Sequence, residues 1–259
     1  MTFKDVNALL IRLFLGYLFT SSGLCKLTDG HFGQLIGPPL LIDQLTPHGL
    51  RGFAFFIAVS QVMSGALVLS QRYSVLGLIM LVPMNLGILA VTISQNWRGT
   101  PYVDAVFTLL NLLVLLYEWP TLKFLLFPET NSIQIPPKVN RFFPDRRLPY
   151  VMIGLFIVAC SSSRYNPTLT TIMAALAYVL VYLHVLRRQS FVWSYRLVLG
   201  MSLLAVLSIT FIGFFRGLHW PVSPMLLMGL SIFGTLIAYL FALSHYGINQ
   251  WKVRRMNKA

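Results

Sequence analysis

Residues 74–94 read SVLGLIMLVPMNLGILAVTIS, a run without a single charged side chain. A helix needs about 17–25 mostly apolar residues to cross the hydrocarbon core of a bilayer, and this run meets that length. Seven more apolar stretches accompany it, at residues 6–25, 50–70, 102–118, 147–163, 168–186, 192–215 and 221–243. The pattern predicts an all-α, polytopic integral membrane helical bundle of about eight transmembrane helices. The stretch at 147–163 is the shortest and begins beside Pro149.

The composition favours the same class. The chain of 259 residues is 56% hydrophobic and 10% charged, with a mean hydropathy of +0.72. A soluble domain has about 25% charged residues. The net charge of +13 does not indicate nucleic-acid binding, because the basic residues lie beside the apolar spans rather than on a clustered soluble face. The expected surroundings are therefore the lipid bilayer.

The basic residues are distributed unequally between the two sides that eight spans define. One side receives 14 Lys and Arg residues and the other receives 5 (Lys26, Arg51, Arg98, Arg164 and Arg216). Because cytoplasmic loops carry the excess of Lys and Arg, both termini are predicted to be cytoplasmic.

Prolines divide the chain near its middle. Five of them lie in residues 119–146, and prolines at this density break helices and mark linkers. The predicted organisation is a four-span bundle at 1–118, a Pro-rich cytoplasmic linker at 119–146, and a second four-span region with a basic tail at 147–259.

The outer loop at residues 29–49 alternates turn residues with apolar ones. A loop this apolar is expected to lie on the membrane surface or to cap the bundle. Two interpretations remain open: a lid over an outward-facing cavity, or a packed connector without a binding role.

Two pairs of charged residues share a spacing. Arg12 and Lys26 lie 14 residues apart on the first span, and Asp104 and Glu118 lie 14 apart on the fourth. Fourteen residues are nearly four helical turns, so each pair shares a helix face at a separation of roughly 21 Å. Because charges inside a membrane require partners, we expect the two spans to be neighbours, joined by Arg12–Glu118 and by an outer pair, Lys26–Asp104.

Three amides lie at mid-depth in predicted spans: Gln61, Asn85 and Asn111. Such amides bond across helices, or they could bind a carbonyl ligand. Two interpretations therefore stay open. The ion pairs only fasten the bundle, or Arg12, Gln61, Asn85, Asn111 and Glu118 line a polar pocket for a headgroup, a quinone or a proton.

The first half resembles the DoxX-like membrane family, a four-helix group. The resemblance covers residues 6–118 and lies in LIRLFLGYLFTSSGLCKL at 10–27 and AVSQVMSGALVLSQR at 58–72. Gln61 stands where family members carry a Glu. The resemblance implies an accessory role at the membrane, near quinone-linked sulfur oxidation, redox-enzyme maturation, oxidative-stress complexes or cargo export. Because it is to the shorter prokaryotic forms, it also implies a bacterial cytoplasmic (inner) membrane.

The remaining reactive residues give no complete catalytic pattern, and no catalytic or metal-binding residues are assigned. Cys25 and Cys160 belong to no Cys-x-x-Cys motif, although both lie near outer span ends, where a disulfide is conceivable. A metal site among the histidines lacks carboxylate or Cys spacing, and haem would need His residues at matched depth in facing helices. The histidines are His31, His48, His184, His219 and His245.

Three functional hypotheses follow. The first is a non-catalytic membrane accessory or scaffold protein that recruits other membrane or redox proteins. The second is a binding or transport protein for a small amphipathic molecule, a quinone or a lipid. The third is a quinone-linked oxidoreductase subunit, whose cofactor the sequence does not reveal.

Overall fold

The computed structural model describes residues 2–37, 40–126, 137–138, 147–187, 192–213 and 224–256, with backbone only for 124–126, 224 and 248–256. These residues form ten α-helices: α1 (Phe3–Leu27), α2 (Leu41–Leu45), α3 (Arg51–Leu69), α4 (Ser74–Ser94), α5 (Thr100–Tyr117), α6 (Trp119–Leu126), α7 (Leu148–Ser162), α8 (Pro167–Leu186), α9 (Trp193–Thr210) and α10 (Pro224–Met256). A 3₁₀ turn at Thr46–His48 follows α2.

Seven of the described helices are long and apolar enough to cross a membrane: α1, α3, α4, α5, α8, α9 and α10. The predicted all-α membrane class is confirmed at this level. The predicted span at 147–163 forms α7, an apolar helix of 15 residues. At 1.5 Å per residue α7 is about 22 Å long, shorter than a hydrocarbon core of about 30 Å.

The start of α1 is fixed by local hydrogen bonds, and the end of α10 departs from the predicted boundary. α1 begins with a capping box, in which Asp5 N–H donates to Thr2 Oγ1 at 3.3 Å and Thr2 N–H donates to the Asp5 carboxylate. α10 continues to Met256, well beyond the predicted end at 243. The hydropathy pattern ends where the apolar sequence ends, but backbone hydrogen bonding carries the helix on through polar residues.

The chain divides into two compact units, Met1–Ala177 and Tyr178–Ala259. In the first unit α1, α3, α4 and α5 close a four-helix bundle, since α1 packs on α3, α3 on α4, α4 on α5, and α5 on α1. α1 is the most enclosed of these spans, since 83% of its most apolar 18-residue stretch is buried. The division into three segments at 118 and 146 stays a prediction, and residues 127–136 and 139–146 of the linker lie outside the described residues.

Glycines set how closely these helices approach. A Cβ on Gly16 would lie 3.1 Å from the Gly65 carbonyl oxygen, and one on Gly65 would lie 2.8 Å from the Gly16 carbonyl oxygen. Farther along, Gly23 meets Ala58 and Val62. Small residues at such positions let helix backbones approach closely, which is how membrane helices gain packing energy without a hydrophobic drive. The contacts also show that α1 and α3 are antiparallel.

Apolar side chains fill the interior between these helices. The core cluster draws on α1, α3, α4 and α5, and its members are Leu15, Leu18, Phe19, Val68, Leu78, Leu81, Phe107, Val114 and Leu115. α7 packs against α3 and α1. α8 is joined to α7 by Thr170, whose hydroxyl donates to the Ala159 carbonyl at 3.1 Å.

The second unit contains the end of α8, with α9 and α10. α9 packs along α10, where Gly234 leaves room for the Met201 side chain. Tyr182 on α8 and Ser202 on α9 share a hydrogen bond of 2.7 Å between their hydroxyls. Only 11% of the most apolar 18-residue stretch of α10 is buried, so most side chains in this stretch are exposed.

Candidate functional site

The linker end of the first bundle is the end where α1 begins and α5 ends. There the Arg12 Nη2 donates to Glu118 Oε1 at 2.6 Å. Both side chains are 0% exposed. Glu118 is the residue that ends α5, so the pair connects the first and last helices of the four-helix bundle. Arg12 and Glu118, which the matched spacing predicts to pair, are therefore in contact at this end.

Two contacts extend this ion pair. The second carboxylate oxygen of Glu118, Oε2, accepts the Lys138 backbone N–H at 2.9 Å. The Lys138 ammonium donates to the Tyr117 carbonyl at 3.1 Å and lies 4.5 Å from the centre of the Tyr117 ring. The Tyr117 hydroxyl donates to the Asp5 carboxylate. We call Asp5, Arg12, Tyr117, Glu118 and Lys138 the linker-end cluster.

Arg12 retains unused hydrogen-bonding capacity. Among the described residues its Nε and Nη1 have no hydrogen-bond partner, although the side chain is wholly buried. A guanidinium carries five N–H donors. Leaving buried donors unused is costly in a medium that offers no water. Arg12 is therefore a wholly buried member of the cluster with donors left for another group.

The antiparallel packing of α1 and α3 brings a second polar group to the linker end. Gly16 and Gly23 on α1 meet residues 65–69 and 58–62 on α3, respectively. The end of α3 at Leu69 therefore lies at the same end of the bundle as Arg12, and Gln71 follows two residues later. Gln71 is 1% exposed, and its Oε1 finds no hydrogen-bond partner in the part of the chain that the structure describes.

At the opposite, loop end of the bundle, Lys26 binds neutral acceptors. Its Nζ donates to Ser22 Oγ at 2.6 Å, to the Ser22 carbonyl at 3.1 Å and to Gln61 Oε1 at 3.1 Å. An ammonium has three donors, so these contacts use all of them. Lys26 is 3% exposed. The site thus joins α1 to α3 and leaves no donor free.

The predicted outer pair is wrong as an ion pair. Within the described residues the structure records no Lys26–Asp104 contact of 4 Å or less. Asp104 Oδ2 is buried and has no hydrogen-bond partner among the described residues. Matched depth on two helices does not fix the face on which each residue lies, and Gln61 on the closely packed α3 reaches Lys26 first.

The apolar loop at 29–49 packs onto the loop end. Phe32 and Ile42 are 1% and 4% exposed. Gly37, at φ 136°, lies over Lys26, since a Cβ there would be 2.9 Å from Ser22 Oγ and 3.7 Å from the Lys26 ammonium. Residues 38 and 39 are outside the described residues. The loop covers the bundle end, as both the lid and the connector interpretations require.

The five predicted pocket residues do not form one site. Arg12 and Glu118 lie at the linker end, whereas Gln61 lies with Lys26 at the loop end. Asn111 Nδ2 donates to the Leu78 carbonyl at 3.2 Å and so joins α5 to α4. Asn111 Oδ1 and Asn85 Nδ2 are buried and have no partner within the described ranges. The prediction of a single pocket is corrected to two end clusters with polar amides between α4 and α5.

The disulfide that the sequence leaves conceivable is not formed. Cys25 and Cys160 are both free thiols, and Cys25 is 2% exposed on α1. Their shared depth again leaves the helix faces unspecified. In the described part of the chain no group of three His, Cys, Asp or Glu side chains is arranged to hold a metal ion. His219 lies outside that part.

Sequence reasoning missed several members of the two clusters. Ser22 precedes Lys26 by one helical turn, which is a local signal for a side-chain contact. Asp5 and Tyr117 lie at helix ends where a capping or interfacial role would have been assigned. Lys138 and Gln71 carry no local signal, because only the fold brings them to this end of the bundle.

Comparison with known proteins adds no identity. No protein-family model, no curated protein and no solved structure matches the chain.

Proposed function

We propose that this chain is a non-catalytic membrane accessory protein, DoxX-like in its first half, whose four-helix bundle is a rigid platform for another membrane protein. The observation that carries the proposal is how the charged groups in the bundle are used. Both oxygens of Glu118 are bound, by Arg12 and by Lys138. All three donors of Lys26 are bound as well.

These contacts fasten helices rather than expose chemistry. Arg12–Glu118 holds α1 to α5 at one end, and Lys26–Gln61 holds α1 to α3 at the other. Between the two ends, the glycine contacts bring α1 and α3 close together. A bundle held at both ends and closely packed between them keeps its outer faces fixed relative to each other, which suits a docking platform for a redox or maturation complex.

The orientation is part of the proposal. The excess of Lys and Arg on the predicted inner side supports cytoplasmic termini, in a bacterial cytoplasmic membrane. Reporter fusions at the C-terminus and within the turn between α4 and α5 test it. A C-terminal reporter active only outside the cytoplasm would contradict the assignment.

The test of function is native mass spectrometry on the chain extracted gently from its own membrane. The proposal predicts another membrane protein retained at a fixed stoichiometry. It is contradicted if the chain emerges alone from native membranes, or if the isolated chain turns over a substrate by itself.

One observation favours a second candidate, the binding of a small amphipathic molecule. Arg12 keeps Nε and Nη1 without partners in the described residues, and Gln71 Oε1, at the same end of the bundle, is also buried without a described partner. Because Arg12 is already neutralised by Glu118, the charge balance favours a neutral head with a hydrogen-bond acceptor, such as a quinone carbonyl or a lipid ester. A stoichiometric small adduct in the same spectrum, lost in Arg12→Met, would support this candidate over the platform.

A further inference from the structure

A third group of charged side chains lies at the loop end of the bundle but shares no residue with the Lys26–Gln61 site. It lies where α3 begins and α7 turns into α8. Arg51 and Arg164 line a cavity of about 270 Å³ together with Gly52 and Phe55. Arg51 is the first residue of α3, and Arg164 follows α7 in the turn before α8. Two basic residues 113 positions apart in sequence thus converge on one opening, because α7 packs against α3.

One of the two guanidinium groups stacks on an aromatic ring, and neither is paired with a described carboxylate. The Arg164 guanidinium lies 5.5 Å from the centre of the Phe55 ring, a cation–π distance. Arg51 and Phe55 are four residues apart on α3 and therefore share a face. Among the described residues neither arginine has a carboxylate within 4 Å. The cavity consequently has two positive groups and no described counter-charge.

The position of the cavity identifies the kind of anion. It lies at the end of α3, one of the helices long and apolar enough to cross a membrane, which is the depth at which lipid headgroups lie. The adjoining surface of α3 is apolar and open, with Phe55 and Phe56 at 39% and 64% exposure. A ligand that presents an anionic head to the arginines and an acyl chain to these rings matches both surfaces.

We propose that Arg51 and Arg164 form a binding site for the phosphate of an anionic phospholipid headgroup. The planar guanidinium binds phosphate oxygens in a bidentate manner, and two of them flanking one cavity suit a phosphodiester. The phenylalanines of α3 receive the first part of the acyl chain. This site shares no residue with the linker-end cluster or with the Lys26–Gln61 site at the loop end. Its function does not depend on the proposed platform role.

The experiment uses the full chain in detergent micelles, titrated with phosphatidylglycerol or phosphatidylcholine and read by native mass spectrometry. The variants are Arg51→Gln, Arg164→Gln and the double variant. Arg98→Gln is the matched control, since Arg98 is also an exposed arginine in a turn between spans but does not line the cavity. Inorganic phosphate is added in a parallel series as a competitor.

The wild-type chain is expected to retain one phosphatidylglycerol in preference to phosphatidylcholine. Each single variant should weaken retention about fivefold and the double variant about 25-fold, from roughly 1 kcal/mol per basic residue near a membrane surface. Arg98→Gln should bind as the wild type does. The thermal unfolding temperature of all variants should stay unchanged, because both arginines are exposed.

Two results would overturn the proposal. If the double variant retained phosphatidylglycerol like the wild type, the arginines would not form the site. If inorganic phosphate displaced the lipid at concentrations equal to those of the lipid itself, the ligand would be free phosphate and the assignment to a lipid headgroup would be wrong.

Discussion

Removing one or both partners of the Arg12–Glu118 pair gives the sharpest test of how the bundle is held. Arg12→Met leaves a wholly buried carboxylate with the Lys138 N–H, at 2.9 Å, as its remaining described partner. Glu118→Leu leaves a buried guanidinium without a carboxylate. Breaking a buried pair from one side costs about 3–5 kcal/mol, because the remaining charge is uncompensated. This raises the unfolding equilibrium constant by roughly two to four powers of ten.

The double variant Arg12→Met, Glu118→Leu should behave differently. Replacing a buried ion pair by apolar side chains of similar volume is often neutral. The Lys138 N–H loses its acceptor, which adds a cost on the order of 1 kcal/mol. The double variant should therefore unfold within about 1.5 kcal/mol of the wild type. The double-mutant cycle should then give a coupling of at least about 3 kcal/mol.

The assay is reversible unfolding of the purified chain in detergent micelles, followed by far-ultraviolet circular dichroism, with Arg98→Met as the exposed control. The control should lie within about 0.5 kcal/mol of the wild type. The reasoning is refuted if the cost in the double variant equals the sum of the two single costs, or if each single variant is tolerated.

Three other predictions follow from single contacts. Gln61→Leu should lower the free energy of unfolding by about 1.5–3 kcal/mol, the contribution of a hydrogen bond to a charged group. Gln61→Glu should raise it by supplying a carboxylate to the adjacent Lys26 ammonium. Equal stabilities of the two variants would contradict the contact. Gly65→Ala should lower the free energy of unfolding by roughly 1–3 kcal/mol, because its Cβ would lie 2.8 Å from the Gly16 carbonyl oxygen and the Thr20 nitrogen. Gly87→Ala, with open space around it, should raise that free energy by about 0.5–1 kcal/mol. Thermal unfolding of the two variants compares them. Thiol titration of the denatured chain without reductant should find Cys25 and Cys160 both free, and a single mobility on non-reducing gels; a titration that finds no thiol would show that they are joined.

Depth in the membrane could be predicted from the sequence, because it follows from length and hydropathy. Arg12 and Glu118 meet because both are charged, lie at the same depth and have few other partners to satisfy them. The helix lengths were predictable for the same reason, with two exceptions. α9 ends at Thr210, short of the predicted 215, and α10 continues through polar residues where hydropathy gives no signal.

The face on which a residue lies could not be predicted in the same way. Lys26 and Asp104 share a depth, but α3 packs closest to α1 at the glycine contacts, so the neutral Gln61 takes the place of the carboxylate. Cys25 and Cys160 also share a depth and stay apart. Rotation about a helix axis depends on packing between helices, and small residues far from the polar group decide it.

Contacts across long sequence separations were the least predictable. Lys138 reaches Glu118 from a proline-rich segment, and Arg164 meets Phe55 from the turn after a short helix. Neither residue carries a periodic or spacing signal. Their positions follow from the packing of the whole first unit, in which α7 lies against α3.

We propose that the Arg12–Glu118 pair holds α1 to α5 in a rigid bundle and is not a ligand site. Native mass spectrometry on the double variant Arg12→Met, Glu118→Leu, extracted from its own membrane, tests this claim most directly. The account predicts the same retained protein partner, at the same stoichiometry, as the wild type. Loss of a small bound molecule that the wild type carries would contradict it and would assign Arg12 to a binding site.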